Sequence, residues 1–275
     1  MTRNKILVGK IGVNLPDENQ SYFSIFEDLV ELFGKEYQNE AAKVLRLKLK
    51  DVRPKPSIDC ESDFTHITTS NVDTLIAVMD SIIELTIDDY KTAFQEVNKA
   101  ELIKIFTDAK KNRPKPKQWD TGDVFAIPLT EKTFTFGQVL NKKYCTCALF
   151  DIRSTSAILP MWEFKKLTPI SILHLSNGDL LNNGQWQIIF NNEVTLNPND
   201  GSGGKFGTIG CVSYGRCGIM ADLAKGYWGL IPWNVMYDEC YYDKILLKGI
   251  KRPDSAVVLS HEDRLKYRKE KFGIS

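Results

Sequence analysis

Long apolar runs are missing from this 275-residue sequence. Stretches such as Ile82-Ile83 or Ala148-Leu149-Phe150 end after two or three residues, far short of the roughly 20 that a membrane-spanning helix needs. Histidine is scarce: His66, His174 and His261 are the three present, and they fall in unrelated segments. A histidine-based metal or catalytic cluster therefore has little to draw on. No Cys-x-x-Cys knuckle and no Gly-x-Ser-x-Gly elbow occurs, which removes the usual zinc-ribbon and hydrolase signatures. A bias to one charge is also lacking, with 36 Lys/Arg against 35 Asp/Glu. That balance does not suit the broad basic face of a nucleic-acid binder. The start, Met1 to Val8, is basic, but its apolar stretch stops at Lys10, too soon for a signal-peptide core. A cytoplasmic chain is expected, with its six cysteines kept as free thiols.

What is present is a pattern inside the near-zero net charge. Residues 1–107 carry 13 basic and 18 acidic side chains, and residues 118–243 carry 9 and 12. Between them, residues 108–117 carry five basic and one acidic, and residues 244–275 carry nine and four. Two mildly acidic bodies are thus joined by a basic linker and followed by a basic tail. The linker, Lys110–Gln118, contains Pro114 and Pro116. Proline lacks the backbone donor and clashes with a preceding helical turn, so this stretch reads as an extended connector. The expected organisation is a domain at 1–109, a linker at 110–118 and a second domain at 119–275.

The fold class expected is α+β: a small α/β sandwich, then a β-rich, strongly bent sheet or partly open barrel with a C-terminal helix. In the first domain Lys5–Val13 reads as a strand. Tyr22, Ile25, Phe26, Leu29, Val30 and Phe33 mark an amphipathic helix ending at Gly34. Leu45, Leu47 and Leu49 alternate within Lys43–Lys50 as in a half-buried strand. Phe64–Thr69 is a third strand. Ser70 and Asp73 open a helix carrying Leu75, Ile76, Met79 and Ile82, and Thr86 and Asp89 open a long one carrying Phe94, Val97, Leu102 and Phe106. Downstream, short apolar stretches recur at Val124–Leu129, Phe134–Leu140, Tyr144–Ile152, Ile170–Leu175, Gln185–Phe190, Thr208–Ser213 and Tyr227–Ile231. Glycine- and asparagine-rich turns separate them. Pro128 places its strand at an edge or bulge, and Ser260 to Gly273 reads as a final capped helix.

Several segments invite a chemical reading. The glycine-rich loop Gly201–Gly207 is a poor phosphate loop, since Phe206 follows Lys205 where Ser or Thr is needed. Cys145 and Cys147 share one face of a strand and could join Cys211 and Cys217 around zinc, or pair with His174 in a cysteine hydrolase; neither arrangement has a supporting motif. No cofactor and no metal are expected. The richest interaction-type segment is 228–243, where Trp233, Tyr237, Asp238, Glu239, Tyr241 and Tyr242 combine large aromatic area with acidic neighbours. Against that stands the plain alternative that the tryptophans fill the core.

Gly122-Asp123-Val124-Phe125-Ala126-Ile127-Pro128-Leu129, with Phe136-Gly137-Gln138-Val139-Leu140 and Ala148-Leu149-Phe150-Asp151, resembles the immunity protein 26 family of bacterial polymorphic toxin systems. Gly229 to Tyr237 is similar to that family's closing segment, so the resemblance spans roughly residues 119–250. It implies a non-enzymatic cytoplasmic protein that binds and neutralises a cognate toxin, commonly encoded beside it, by covering the toxin's active site. Mildly acidic bodies suit a basic partner such as a nuclease-type toxin domain. Gly122, Asp123, Pro128, Gly137 and Asp151 are expected to shape turns and bends. The family does not account for residues 1–117. Two other readings compete: a nucleic-acid-binding barrel gripping phosphate with the basic linker and tail, and a hydrolase using Cys145 or Cys147.

Overall fold

The computed structural model describes residues 5–91, 98–201 and 218–273. It divides into two compact units, Met1–Pro116 and Lys117–Ser275, with the break inside the basic proline-containing stretch. Both units are α+β, each built on a five-stranded antiparallel sheet.

The first unit orders its strands β1-β2-β3-β5-β4. The expected strand at Lys5–Val13 is a hairpin of β1 (Lys5–Val8) and β2 (Ile11–Asn14), turning at Gly9 with φ +58°. The helix expected across Tyr22–Phe33 is instead β3 (Phe23–Glu27) followed by α1 (Leu29–Phe33). Phe23 and Ile25 alternate into the core opposite Thr69 and Ile67, and Asp28 caps α1 by accepting from the Val30 and Glu31 amides. The expected stop at Gly34 is there, in the left-handed region at φ +60°.

A second correction concerns Lys43–Lys50, which lies in and just after α2 (Gln38–Lys48) and is not a strand. Ala41, Ala42, Leu45 and Leu49 are buried at helical spacing while Leu47 is exposed. Lysine, arginine and leucine are all good helix formers, so the alternating leucines carried a false period.

β4 (Ser57–Cys60) and β5 (Thr65–Thr69) complete the sheet. Next comes α3 (Val72–Leu85), capped by Asn71 one residue past the expected Ser70 and burying the expected face. α4 (Asp88–Lys91) and α5 (Lys99–Lys111) follow. Phe94 and Val97, expected on one long helix there, lie outside the described residues. Phe106 seats edge-on against Phe23, with ring centroids 5.6 Å apart.

The second unit orders β10-β6-β7-β8-β9: β6 (Asp123–Thr130), β7 (Thr133–Asn141), β8 (Thr146–Phe150), β9 (Pro169–His174) and β10 (Gln187–Asn191). Among the described residues it is an open sheet with β10 and β9 at its edges, not closed into a barrel. Every strand pairing in it carries a register shift, a device that bends strands locally. Pro128 sits at one such shift, beyond the last residue paired to β10.

Both faces of this sheet are buried, which explains its near-continuous apolar strands. Phe125, Ile127, Val139, Cys147 and Leu149 face one layer. That layer contains α7 (Asp179–Asn182), α8 (Ile219–Tyr227), α9 (Tyr241–Ile245) and the buried Trp233. Val124, Ala126, Phe136 and Ala148 face the other, where Leu159 and Phe164 close over them from the 151–168 connection and its turn α6 (Met161–Phe164). α10 (His261–Phe272) ends the described chain, capped by Ser260 and stopped by Gly273 at φ +65°. The strand expected at Tyr227–Ile231 is absent: α8 ends there and Gly229 turns the chain at φ +66°. Residues 202–217, with the expected strand Thr208–Ser213, most of the glycine-rich loop, Cys211 and Cys217, lie outside the described residues.

Candidate functional site

The aromatic and acidic segment after α8 divides by burial. Trp233 and Tyr242 are fully interior, 5.3 Å apart edge-to-face, and fill the core between α8 and α9. Tyr241 is half-buried and packs against the same cluster. Tyr237 is the opposite case, a tyrosine 89% exposed, with Asp238 and Glu239 beside it at the surface. The segment therefore supplies one displayed aromatic on a base of buried ones.

Arg264 holds that display in place. It projects from the first turn of α10 and is itself buried. Its Nε donates to the Asn234 carbonyl at 2.5 Å, and Nη2 donates to the carbonyls of Met236 and Tyr237 at 2.5 and 2.8 Å. Nη1 pairs with Glu239 at 3.1 Å. The Asn234 amide binds the backbone of Leu259 in both directions, and the Trp233 amide donates to the Val257 carbonyl. The backbone on both sides of Tyr237 is thus sewn to the tail. Arg268 lies 5.7 Å from that ring.

The acidic side chains of the segment are already engaged. Asp238 accepts from Lys244 at 2.5 Å and from the Cys240 amide at 3.0 Å, which holds its carboxyl below the usual range, the lysine contributing most. Asp243 receives a two-pronged bond from Arg252 at 3.1 and 2.6 Å. Burial pushes the Asp243 carboxyl up, but these bonds outweigh it and leave it lowered. The loop therefore presents aromatic surface with compensated charge.

The motif residues stand at bends. Gly122 has φ +94°, and a Cβ there would lie 2.8 Å from the Asn192 carbonyl oxygen. Asp123 accepts from the Asp120 amide at 2.6 Å and from Asn191 at 2.8 Å. Gly137 lets Phe125 lie across β7, where a Cβ would meet the ring at 2.6 Å. Asp151 accepts from the Tyr227 hydroxyl at 3.4 Å. The hydroxyl's pKa is raised by burial first and by that carboxylate second. Gln138, buried on β7, donates to the carbonyls of Gly122, Asn192 and Glu193 and pins that segment to the sheet.

Cys145 and Cys147 are both buried, at 6% and 0% exposure. The Cys145 thiol donates to the Asn177 carbonyl, and His174 Nδ1 is engaged with the Thr146 hydroxyl at 2.8 Å. The thiol pair leaves Cys145 lowered and Cys147 well raised by their mutual hydrogen bond. These groups are close together and packed into the core. Among the described residues no group of three or more His, Cys, Asp or Glu is placed to hold a metal. No described helix is long and apolar enough to cross a membrane.

Comparison with known proteins bears on the sheet that carries these bends. Residues 120–210 match the Immunity protein 26 family model. No curated protein and no solved structure matches the chain. The immunity-protein-26 segment covers β6 to β10 and the bends at Gly122, Asp123, Pro128, Gly137 and Asp151. The closing similarity at Gly229–Tyr237 falls beyond the matched residues, as do Arg264 and the whole first unit.

Sequence reasoning missed two features. Arg264 was read only as one charge in a basic tail, although an arginine four residues past a helix cap is well placed to reach a neighbouring loop. The 151–168 connection drew no notice, yet it exposes Ile158, Met161 and Trp162 within five residues. A tryptophan followed closely by Lys165 and Lys166, in a stretch with no core-like periodicity, is the signal the sequence offers.

Proposed function

We propose that the chain is an immunity protein that binds a cognate toxin and neutralises it by covering the toxin's working surface, without catalysis of its own. The observation that carries this reading is the family match across the sheet of the second unit. The burial of both candidate thiols, and a charged surface close to balance, fit a binder better than a cysteine hydrolase or a phosphate-gripping barrel. Tyr237, with Asp238, Glu239 and Tyr241 around it, is one candidate contact surface, a displayed aromatic on a base of buried ones. The chain would act in the compartment where the toxin would otherwise do damage, the cytoplasm.

The test is co-expression with the toxic domain encoded in the adjacent reading frame. The wild-type chain restores growth and co-purifies with the toxin in 1:1 complex through 0.5 M salt; complex loss with a steep salt slope would favour the nucleic-acid reading instead. Growth that stays arrested, with no complex, would defeat the proposal.

A further inference from the structure

The second unit exposes a second aromatic surface on the layer opposite Tyr237. Ile158 is 75% exposed, Trp162 64% and Met161 43%. These are large apolar side chains, and three of them are exposed within five residues of one another in the chain. Their immediate neighbours point inward: Leu159 and Phe164 are each 4% exposed and belong to the core over Val124 and Ala126.

The backbone between them is fixed by local bonds. Ser154 and Phe134 exchange both backbone hydrogen bonds, the Ser154 hydroxyl takes the Ser156 amide, and the Ser156 hydroxyl takes the Ile158 amide. Phe164 packs edge-on against Phe150 at 4.8 Å. The trio is therefore displayed by a stiff connection, as interface anchors are. Beside it a cleft of about 370 Å³ opens over the sheet, with Phe150, Phe164, Leu167 and Leu196 among its lining.

Charge separates this surface from the Tyr237 loop. Arg153, Lys165 and Lys166 are exposed in the same connection, and Lys166 Nζ lies 4.9 Å from the Trp162 ring. The connection carries two carboxylates, Asp151, which accepts from the Tyr227 hydroxyl, and the half-buried Glu163, and Glu193 lines the cleft. Among the described residues those three cations make no salt bridge within 4 Å, whereas Asp238 and Glu239 are paired with Lys244 and Arg264.

We infer that Ile158, Met161 and Trp162 form the toxin-docking surface proper, and that it receives an apolar socket rimmed by carboxylates on the toxin. This rests on the immunity reading and gives it a direction: the toxin face that is covered is acidic, in contrast to the basic nuclease-type partner that the overall charge suggested. Trp162 is the anchor, and the three cations steer the encounter and set the register.

The experiment uses the full chain and the purified, catalytically inactivated toxic domain from the adjacent reading frame, with binding followed by surface plasmon resonance. Trp162→Ala is expected to weaken binding at least about thirty-fold, mainly through faster dissociation. The double variant Lys165→Glu, Lys166→Glu is expected to slow association and to abolish its acceleration at low salt. Both variants should keep the wild-type melting temperature, because the altered side chains are solvent-exposed. A wild-type chain that binds while both variants bind equally well overturns the docking surface and leaves the immunity reading standing. A wild-type chain that does not bind at all overturns both.

Discussion

Replacing Arg264 with alanine strips three carbonyls of their donor at once, those of Asn234, Met236 and Tyr237, and frees Glu239. A hydrogen bond from a charged donor contributes about 1.5–3 kcal/mol, and an abandoned buried acceptor costs about 1–3 kcal/mol. Met236 and Tyr237 lie near the surface, where water can replace the guanidinium, so about 1 kcal/mol each is appropriate there. The Asn234 contact is deeper. A total loss of about 3 kcal/mol follows, at the lower end for breaking a buried charged network.

All five tryptophans, Trp119, Trp162, Trp186, Trp228 and Trp233, lie in the second unit. Tryptophan fluorescence therefore reports that unit's unfolding without interference from the first. With a urea dependence of about 2 kcal/mol per molar, the midpoint should fall by roughly 1.5 M. Arg264→Lys keeps the charge but not the planar fork, and should recover part of the loss. Lys266→Ala, exposed on the same helix, should move the midpoint very little. If Arg264→Ala shifted it no further than Lys266→Ala, the clamp would carry no weight and the anchoring of the backbone around Tyr237 would fail with it.

Other expectations follow from single contacts. Gly137→Ala drives a methyl into the Phe125 ring and toward the Ala148 carbonyl, an overpacking that should destabilise the second unit by about 1–3 kcal/mol in the same urea experiment. Trp233→Ala should cost about 3–5 kcal/mol, whereas Tyr237→Ala should leave the midpoint nearly unchanged; equal losses would contradict the division of that segment by burial. In the first unit, burial raises the Glu27 carboxyl above its usual pKa, against the bond from the Gly12 amide and the Lys5 charge. Folding thus favours its protonated form, so its contribution is most favourable below the unfolded pKa of 4.5 and is lost as pH rises through the folded value. Glu27→Gln should slow native-state amide exchange in β2 and β3 at pH 7, with an advantage that shrinks as pH is lowered toward 4.5. Of the four described thiols, Cys240 is exposed, Cys60 half-buried, and Cys145 and Cys147 buried, so Cys240→Ser should remove the fastest phase of native alkylation among these four.

Much of the fold could be read from residue pattern, and its failures share a cause. α3 was legible from its capping residues and periodic apolar face, and α10 from its Ser260 cap and terminal Gly273. The strands of the second unit were legible as short apolar stretches between turns, and Pro128 marked a bulge because proline cannot donate to the ladder. Lys43–Lys50 misled because Leu45 and Leu49, four apart, share a helix side with Ala41 and Ala42, while Leu47 between them is exposed on the other side. Tyr22–Phe33 misled because a strand and a short helix, joined at Asp28, together mimic a helical period. At the candidate site, composition pointed to the right segment but could not separate Trp233 and Tyr242, which are core, from Tyr237, which is displayed. That separation depends on contacts with α10 some thirty residues later. The Trp162 surface escaped because neither periodicity nor charge run marks a stiff loop; its rigidity comes from Leu159 and Phe164 anchoring in a distant sheet.

The claim that this chain is an immunity protein is tested most directly by growth. Cells expressing the toxic domain from the adjacent reading frame should die alone and recover when the wild-type chain is co-expressed, with the two proteins isolated as one complex. Arrested growth despite a folded, abundant chain that forms no complex with that domain would contradict the account.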